Sequence, residues 1–227
     1  MSGTWVLLLL ITTMALPVIV VFFWFRVLKS PITLPWFLAS LAAGIISVLA
    51  AVLVQRLFPP PGTGGFLPLL FGVFIRIALV EEASRFVSLV PLLSVIKRSN
   101  NFDKPFFVAL GLVSGLGFAM IESAFYGIAE SDFRIMVLRA VTAAPLHGAC
   151  GIRVCAALLS VRSHPVKALA IFASAVLIHG AYNLMIVNPA LPSWLAIPIA
   201  FAALFASIHY FTKTSDRDEE KPFSSYK

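Results

Sequence analysis

The chain has 227 residues, of which 60% are hydrophobic and 12% charged, and its mean hydropathy is +0.97. A soluble domain is about half apolar and about a quarter charged, so this composition, gathered into runs of about 20 residues, excludes a large soluble core and reads as an integral membrane protein. The net charge of +7 does not read as nucleic-acid binding, because the Lys and Arg sit between apolar runs and form no basic cluster interleaved with aromatics.

The first apolar run covers about 5–25, with no Lys or Arg before it and Arg26 and Lys29 after it. A cleaved signal peptide has its positive charge first and a shorter apolar core, so this run is read as a transmembrane helix. Six more runs follow, at about 33–54, 66–96, 105–128, 136–161, 165–187 and 193–211. The breaks carry Pro, Gly or charge, as in "RLFPPPGTGG" and "KRSNNFDKP". Each run is long enough to cross a bilayer. The expected fold is all-α: a polytopic transmembrane helix bundle of about seven spans, one domain over 1–211, followed by a disordered polar cytoplasmic tail at 212–227.

Seven spans place the termini on opposite sides. One side then holds eleven cations (Arg26, Lys29, Lys97, Arg98, Lys104, Arg162, Lys167, Lys213, Arg217, Lys221, Lys227) and the other three, Arg56, Arg134 and Arg139. The positive-inside rule puts the eleven in the cytoplasm, so the N-terminus is expected outside and the C-terminus inside. Short loops and the lack of a targeting signal point to the plasma membrane of a bacterium.

Polar residues inside the spans are the informative exceptions. The third run holds Arg76, Glu81, Glu82 and Arg85, the fourth Glu122 and Tyr126, the fifth His147 and Arg153, and the sixth His179, Tyr182 and Asn183. A charged group at the bilayer centre costs about 2.5–3.5 kcal/mol on insertion scales, so each should face the bundle interior and have a partner. Glu81 and Arg85 are i,i+4 and Glu82 and Arg85 are i,i+3, so either carboxylate can pair with Arg85. The adjacent glutamates point about 100° apart on a helix, which leaves one of them available as a general base. A structural ion pair explains the arginine and one glutamate but not the second. His179 and Asn183 share one helix face, as do Glu122 and Tyr126.

Taken singly, each histidine reads as satisfied polar core. Together with the carboxylates they form a set that four helices can bring to one depth. Arg139 is read as a cation snorkelling to the interface. His164 and His209 lie near span ends and are read as interfacial. Cys150 and Cys155 are five apart in one run, a helical spacing that points them to different faces and disfavours a mutual disulfide. The glycines beside the polar positions, such as Gly115, Gly148 and Gly151, read as close-packing positions between helices.

Four blocks in this order, "EEASR", "GFAMIESAFYG", "APLHGACG" and "LIHGAYNL", resemble the PrsW family of intramembrane proteases. They resemble, more distantly, the CAAX prenyl proteases and bacteriocin-processing enzymes. Ser123 stands where the family commonly has Asn, and Arg85 where Lys is frequent. The resemblance implies hydrolysis of a peptide bond in a membrane-protein substrate, typically a regulatory one such as an anti-sigma factor. Matched by position, Glu81, Glu82, Glu122, His147, His179 and Asn183 are the implied active-site residues, with Arg85 orienting them. Two mechanisms use these groups. In one, His147, His179 and Glu122 hold Zn²⁺ and a glutamate of the pair is the base. In the other no metal takes part: a glutamate and His147 activate water, and His179 and Asn183 stabilise the oxyanion. Intramembrane carboxylates and histidines also serve proton- or ion-coupled transporters, although the seven runs show no convincing inverted repeat, and a non-catalytic scaffold of the same fold is the third reading.

Overall fold

The computed structural model describes residues 3–58, 65–97, 102–130, 133–188 and 190–219, and all regular structure among them is helical. Helix α1 is Gly3–Val27 and α2 is Leu34–Gln55. Helix α3, Phe66–Leu70, continues through a π-helical stretch, Phe71–Leu79, into α4, Val80–Lys97. Then come α5 (Lys104–Glu130), α6 (Phe133–Ser160), α7 (Pro165–Val187), a 3₁₀ turn at Ser193–Leu195 and α8 (Ala196–Glu219). Every apolar run of the sequence falls on a helix or on the continuous α3–α4 rod.

Among the described residues, five segments are long and apolar enough to cross a membrane: Leu34–Gln55, Lys104–Tyr126, Val137–Ser160, Pro165–Val187 and Ser193–Thr212. The rod Phe66–Lys97 is not one of them, because Arg76, Glu81, Glu82 and Arg85 interrupt its apolar character. Helix α1 contributes a shorter apolar stretch, Met14–Val27. The expectation of disorder after residue 211 is corrected in part. Helix α8 runs on to Glu219, since extending a nucleated helix costs far less than starting one. Residues 220–227 lie outside the described residues, as does the "PPPG" of the loop after α2.

Helices α5 and α6 form the centre. In both, 72% of the membrane-crossing window is buried, against 39% for α2, 28% for α7 and 22% for α8. Lipid tails are as apolar as leucine, so transmembrane helices associate through close packing of small residues. Gly115 meets the backbone carbonyl of His147, and Gly111 and Gly151 face each other across the α5–α6 contact, each where a Cβ would overlap the opposite backbone. Helix α2 closes on α5 in the same way through Gly44 against Ser114 and Gly117 against Leu41. Large apolar side chains such as Phe23, Leu53, Val87, Leu169 and Phe205 point outward, as a lipid-facing surface requires. Both cysteines are buried and neither forms a disulfide.

Candidate active site

The polar insert of α4 sits just after the π-helical stretch. A π segment closes i→i+5 and so changes the angle at which the following turn leaves, a feature common at functional sites. It packs beside α7, where a Cβ at Gly180 would overlap the Phe74 ring. The glycine after His179 therefore lets the rod come against α7 at the histidine.

Glu82, not Glu81, takes Arg85. Arg85 Nη1 donates to Glu82 Oε2, and neither side chain has any exposure. The other oxygen of Glu82 meets His179 Nδ1 at 2.7 Å. An ionised carboxylate only accepts, so His179 donates from Nδ1; in the neutral imidazole the lone pair is then on Nε2, which faces inward. That Nε2 has no hydrogen-bond partner although it is buried.

Glu81 is the spare carboxylate. Its Oε1 accepts from Gln55 Nε2 at 3.1 Å. Its Oε2 is buried and unpartnered and lies 3.6 Å from His179 Nε2. Two buried polar atoms without a hydrogen-bond partner thus face each other inside the bundle, where leaving one such group unpaired costs about 1–3 kcal/mol.

His147 is held from both sides. Its Nδ1 lies 3.2 Å from Arg85 Nη2 and its Nε2 2.8 Å from Glu122 Oε2. A guanidinium only donates, so Nδ1 accepts and Nε2–H donates to Glu122. The same Glu122 oxygen pairs with Arg139 Nη2 at 2.6 Å. Phe118, one turn before Glu122 on α5, supports both partners: the Arg85 guanidinium lies over its ring at 4.4 Å, and its centroid is 4.8 Å from that of His147. Tyr126 does the same for Arg139 at 4.0 Å. The two imidazoles meet edge to face, with centroids 4.9 Å apart.

Five of the residues singled out in the sequence, Glu81, Glu82, Arg85, His147 and His179, therefore meet in one buried cluster, and Glu122 joins it through His147. Asn183 lies one turn past His179 on α7, half-buried and outside this hydrogen-bonded set. Glu81, His147 and His179 bring one ligand atom each to within 4.8 Å of one another, and so do Glu82, Cys150 and His179. Glu122 belongs to neither group.

Three contributors to the cluster were not among the site residues read from the sequence. Arg139 pairs across helices with Glu122 instead of reaching for the interface. Gln55 sits at the end of α2, where the sequence reads as the edge of a loop. Phe118 could have been found, since its i,i+4 spacing to Glu122 places both on one face.

An apolar helical bundle whose buried core joins carboxylates, imidazoles and guanidinium groups defines a class: membrane proteins that keep functional polar groups inside the bilayer. The family is narrower than the class. The family described as PrsW family intramembrane metalloprotease matches residues 30–209, and the chain belongs to it. It is an intramembrane protease of multi-pass membrane architecture. No curated protein and no solved structure matches the chain.

Proposed function

We propose that the chain hydrolyses a peptide bond within a single-span membrane protein, a regulatory substrate of the anti-sigma-factor kind. The working group is Glu81 opposite His179. One observation carries this: the buried Glu81 Oε2 and His179 Nε2 lie 3.6 Å apart and neither has a hydrogen-bond partner.

The donor set fits a metal. Glu81, His179 and His147 are a carboxylate and two imidazoles, the ligand types of a catalytic zinc site; the Glu81 and His179 atoms have no hydrogen-bond partner, and His147 Nδ1 would exchange its Arg85 contact for the metal. Charge agrees: Glu81, Glu82 and Glu122 against Arg85 and Arg139, with neutral imidazoles, leave 3 − 2 = 1 net negative charge in the cluster, which favours a cation. Glu122 is the weaker ligand because Arg139 and His147 already occupy one of its oxygens. When bound, a divalent metal such as zinc supplies an acidified water and a polarised carbonyl.

The protein's own residues supply the rest. Glu82 accepts the Nδ1 proton of His179 and fixes its tautomer and orientation. Arg85 holds Glu82 and His147 together. Glu122, charge-balanced by Arg139, holds the Nε2 proton of His147. The reaction needs one proton removed from water as its oxygen adds to the carbonyl carbon, and one delivered to the amide nitrogen as the C–N bond breaks. In the metal-free version Glu81 does both in turn, and Asn183 on the same face as His179 donates to the oxyanion. In either version Glu81 is indispensable, and His179 is the group that faces it.

The rest of the proposal concerns placement. The chain crosses a bacterial plasma membrane seven times, with the N-terminus outside and the C-terminus in the cytoplasm. The test is reconstitution in liposomes with a single-span substrate, comparing the parent with Glu81→Gln, Glu82→Gln, Glu122→Gln, His147→Ala and His179→Ala. Cleavage that persists in every variant sinks the proposal, and ion flux without cleavage would move the reading to a transporter. Metal analysis of active protein decides between the two mechanisms.

A further inference from the structure

Lys104, His164 and Lys167 take no part in the site above; in the sequence the two lysines count toward topology and His164 reads as interfacial. In the fold they line one cavity of about 270 Å³, where α5 and α7 begin and α6 ends. Tyr210 of α8 lines it too, and Phe107 on α5 and Phe211 on α8 give it apolar walls. This place is remote from the proteolytic cluster. Lys104 and Glu122 are 122 − 104 = 18 residues apart on α5, about 27 Å along the helix axis.

The make-up of the cavity specifies its ligand: a compact anion at the lysine end and a hydrocarbon chain against the phenylalanines. The position agrees, because the charged rim lies at the end of the bundle carrying most of the cations. Basic pockets between transmembrane helices on that side take head groups of acidic lipids, and aromatic rings such as Tyr210, 50% exposed, sit at head-group depth. The two helix starts at the rim differ in a way that favours an added anion. At α5 the Asp103 carboxylate accepts from the Phe106 N–H at 3.0 Å. At α7 the residue before Pro165, His164, makes no side-chain cap, so its partial positive charge adds to that of the lysines. A free phosphate would leave the apolar walls without a ligand.

We propose that this cavity binds an acidic phospholipid, with Lys104 and Lys167 on the phosphate and an acyl chain along Phe107 and Phe211. The test is native mass spectrometry of the purified full chain titrated with phosphatidylglycerol, phosphatidylcholine, glycerol phosphate or inorganic phosphate. The expected result is preferential binding of phosphatidylglycerol, reduced about thirtyfold in the Lys104→Gln/Lys167→Gln double variant, as loss of two head-group cations implies. The Lys104→Arg/Lys167→Arg variant should keep it, and the melting temperatures of both variants without added lipid establish that they are folded. Equal binding of the two phospholipids, or unchanged binding in the folded glutamine variant, overturns the proposal. Inorganic phosphate binding as tightly as the lipid overturns it as well and makes the cavity a free-phosphate site.

Discussion

His147 and His179 are equally buried, at 1% exposure each, and their rings touch, yet the two sides of the cluster they belong to are built differently. On the His147 side both imidazole nitrogens are engaged, by Arg85 and by a glutamate that Arg139 holds in turn, and the atoms left without a partner are the Nε of each arginine. On the His179 side one nitrogen is fixed by Glu82 and the other faces Glu81 with no hydrogen bond. A half whose imidazole is saturated fixes charge and orientation. An unsaturated half inside a membrane protein is costly unless something binds there. The difference separates positioning groups from groups that meet water, which neither histidine reveals when taken alone.

The largest expected effects break the open half. Glu81→Gln keeps the shape and the Gln55 contact but removes the proton acceptor, and should cut proteolysis of a reconstituted substrate by about a hundredfold to ten-thousandfold. His179→Ala should do the same and, if metal is bound, lower the metal content of the purified protein. Turnover within tenfold of the parent in Glu81→Gln would assign the water to another carboxylate and erase the contrast between the halves.

The saturated half should yield less. Arg139→Gln leaves Glu122 buried beside a neutral partner and loosens its hold on His147, lowering kcat by about tenfold to a hundredfold, as lost supporting contacts do in metal sites. KM should change little, because Arg139 acts through Glu122. Arg139→Lys restores a cation at the same carboxylate and should recover most of the rate. Equal losses in the two variants would show that packing on Tyr126, and not charge, is what matters.

The helix contacts beneath the two histidines offer a comparison of stability. Gly115 abuts backbone, the His147 carbonyl, whereas Gly180 abuts a side chain, the Phe74 ring. Overpacking costs about 1–3 kcal/mol, and a ring can move where a carbonyl cannot. Gly115→Ala should therefore lower the melting temperature more than Gly180→Ala, and Phe74→Leu should rescue only the second. The reverse order would mean that α5 and α6 are free to separate at His147.

Which parts of this were legible in the sequence follows from what fixes them. Helix positions were, because bilayer thickness sets run length and charge or proline sets the ends. The cost of an intramembrane charge made Glu81, Glu82, Arg85, Glu122 and the two histidines stand out. The pairing of Arg85 was not legible: i,i+3 and i,i+4 are both allowed, and the choice depends on how the rod leaves its π-helical turns and meets α7. Nor was the role of Arg139, because a cation near a span end has a cheaper default, snorkelling, and only the third dimension brings Glu122 beside it. Helix α8 outran its apolar stretch because charged residues do not by themselves stop a helix.

Gln55 gives the smallest effect and the sharpest test of the open half. Its amide donates to Glu81 Oε1 at 3.1 Å, which turns the other oxygen toward His179. Its side chain makes this one hydrogen bond to the cluster among the described residues, so Gln55→Ala removes an aiming contact and leaves the base, both histidines and both arginines in place. A single hydrogen bond of this kind is worth about 0.5–1.5 kcal/mol, so kcat should fall by about twofold to tenfold. Gln55→Glu should be worse than Gln55→Ala, because a second carboxylate would repel Glu81 where the amide held it. If Gln55→Glu is the milder of the two, Glu81 carries a proton in the resting state and donates across that contact, and the base must be sought on the other side of the cluster.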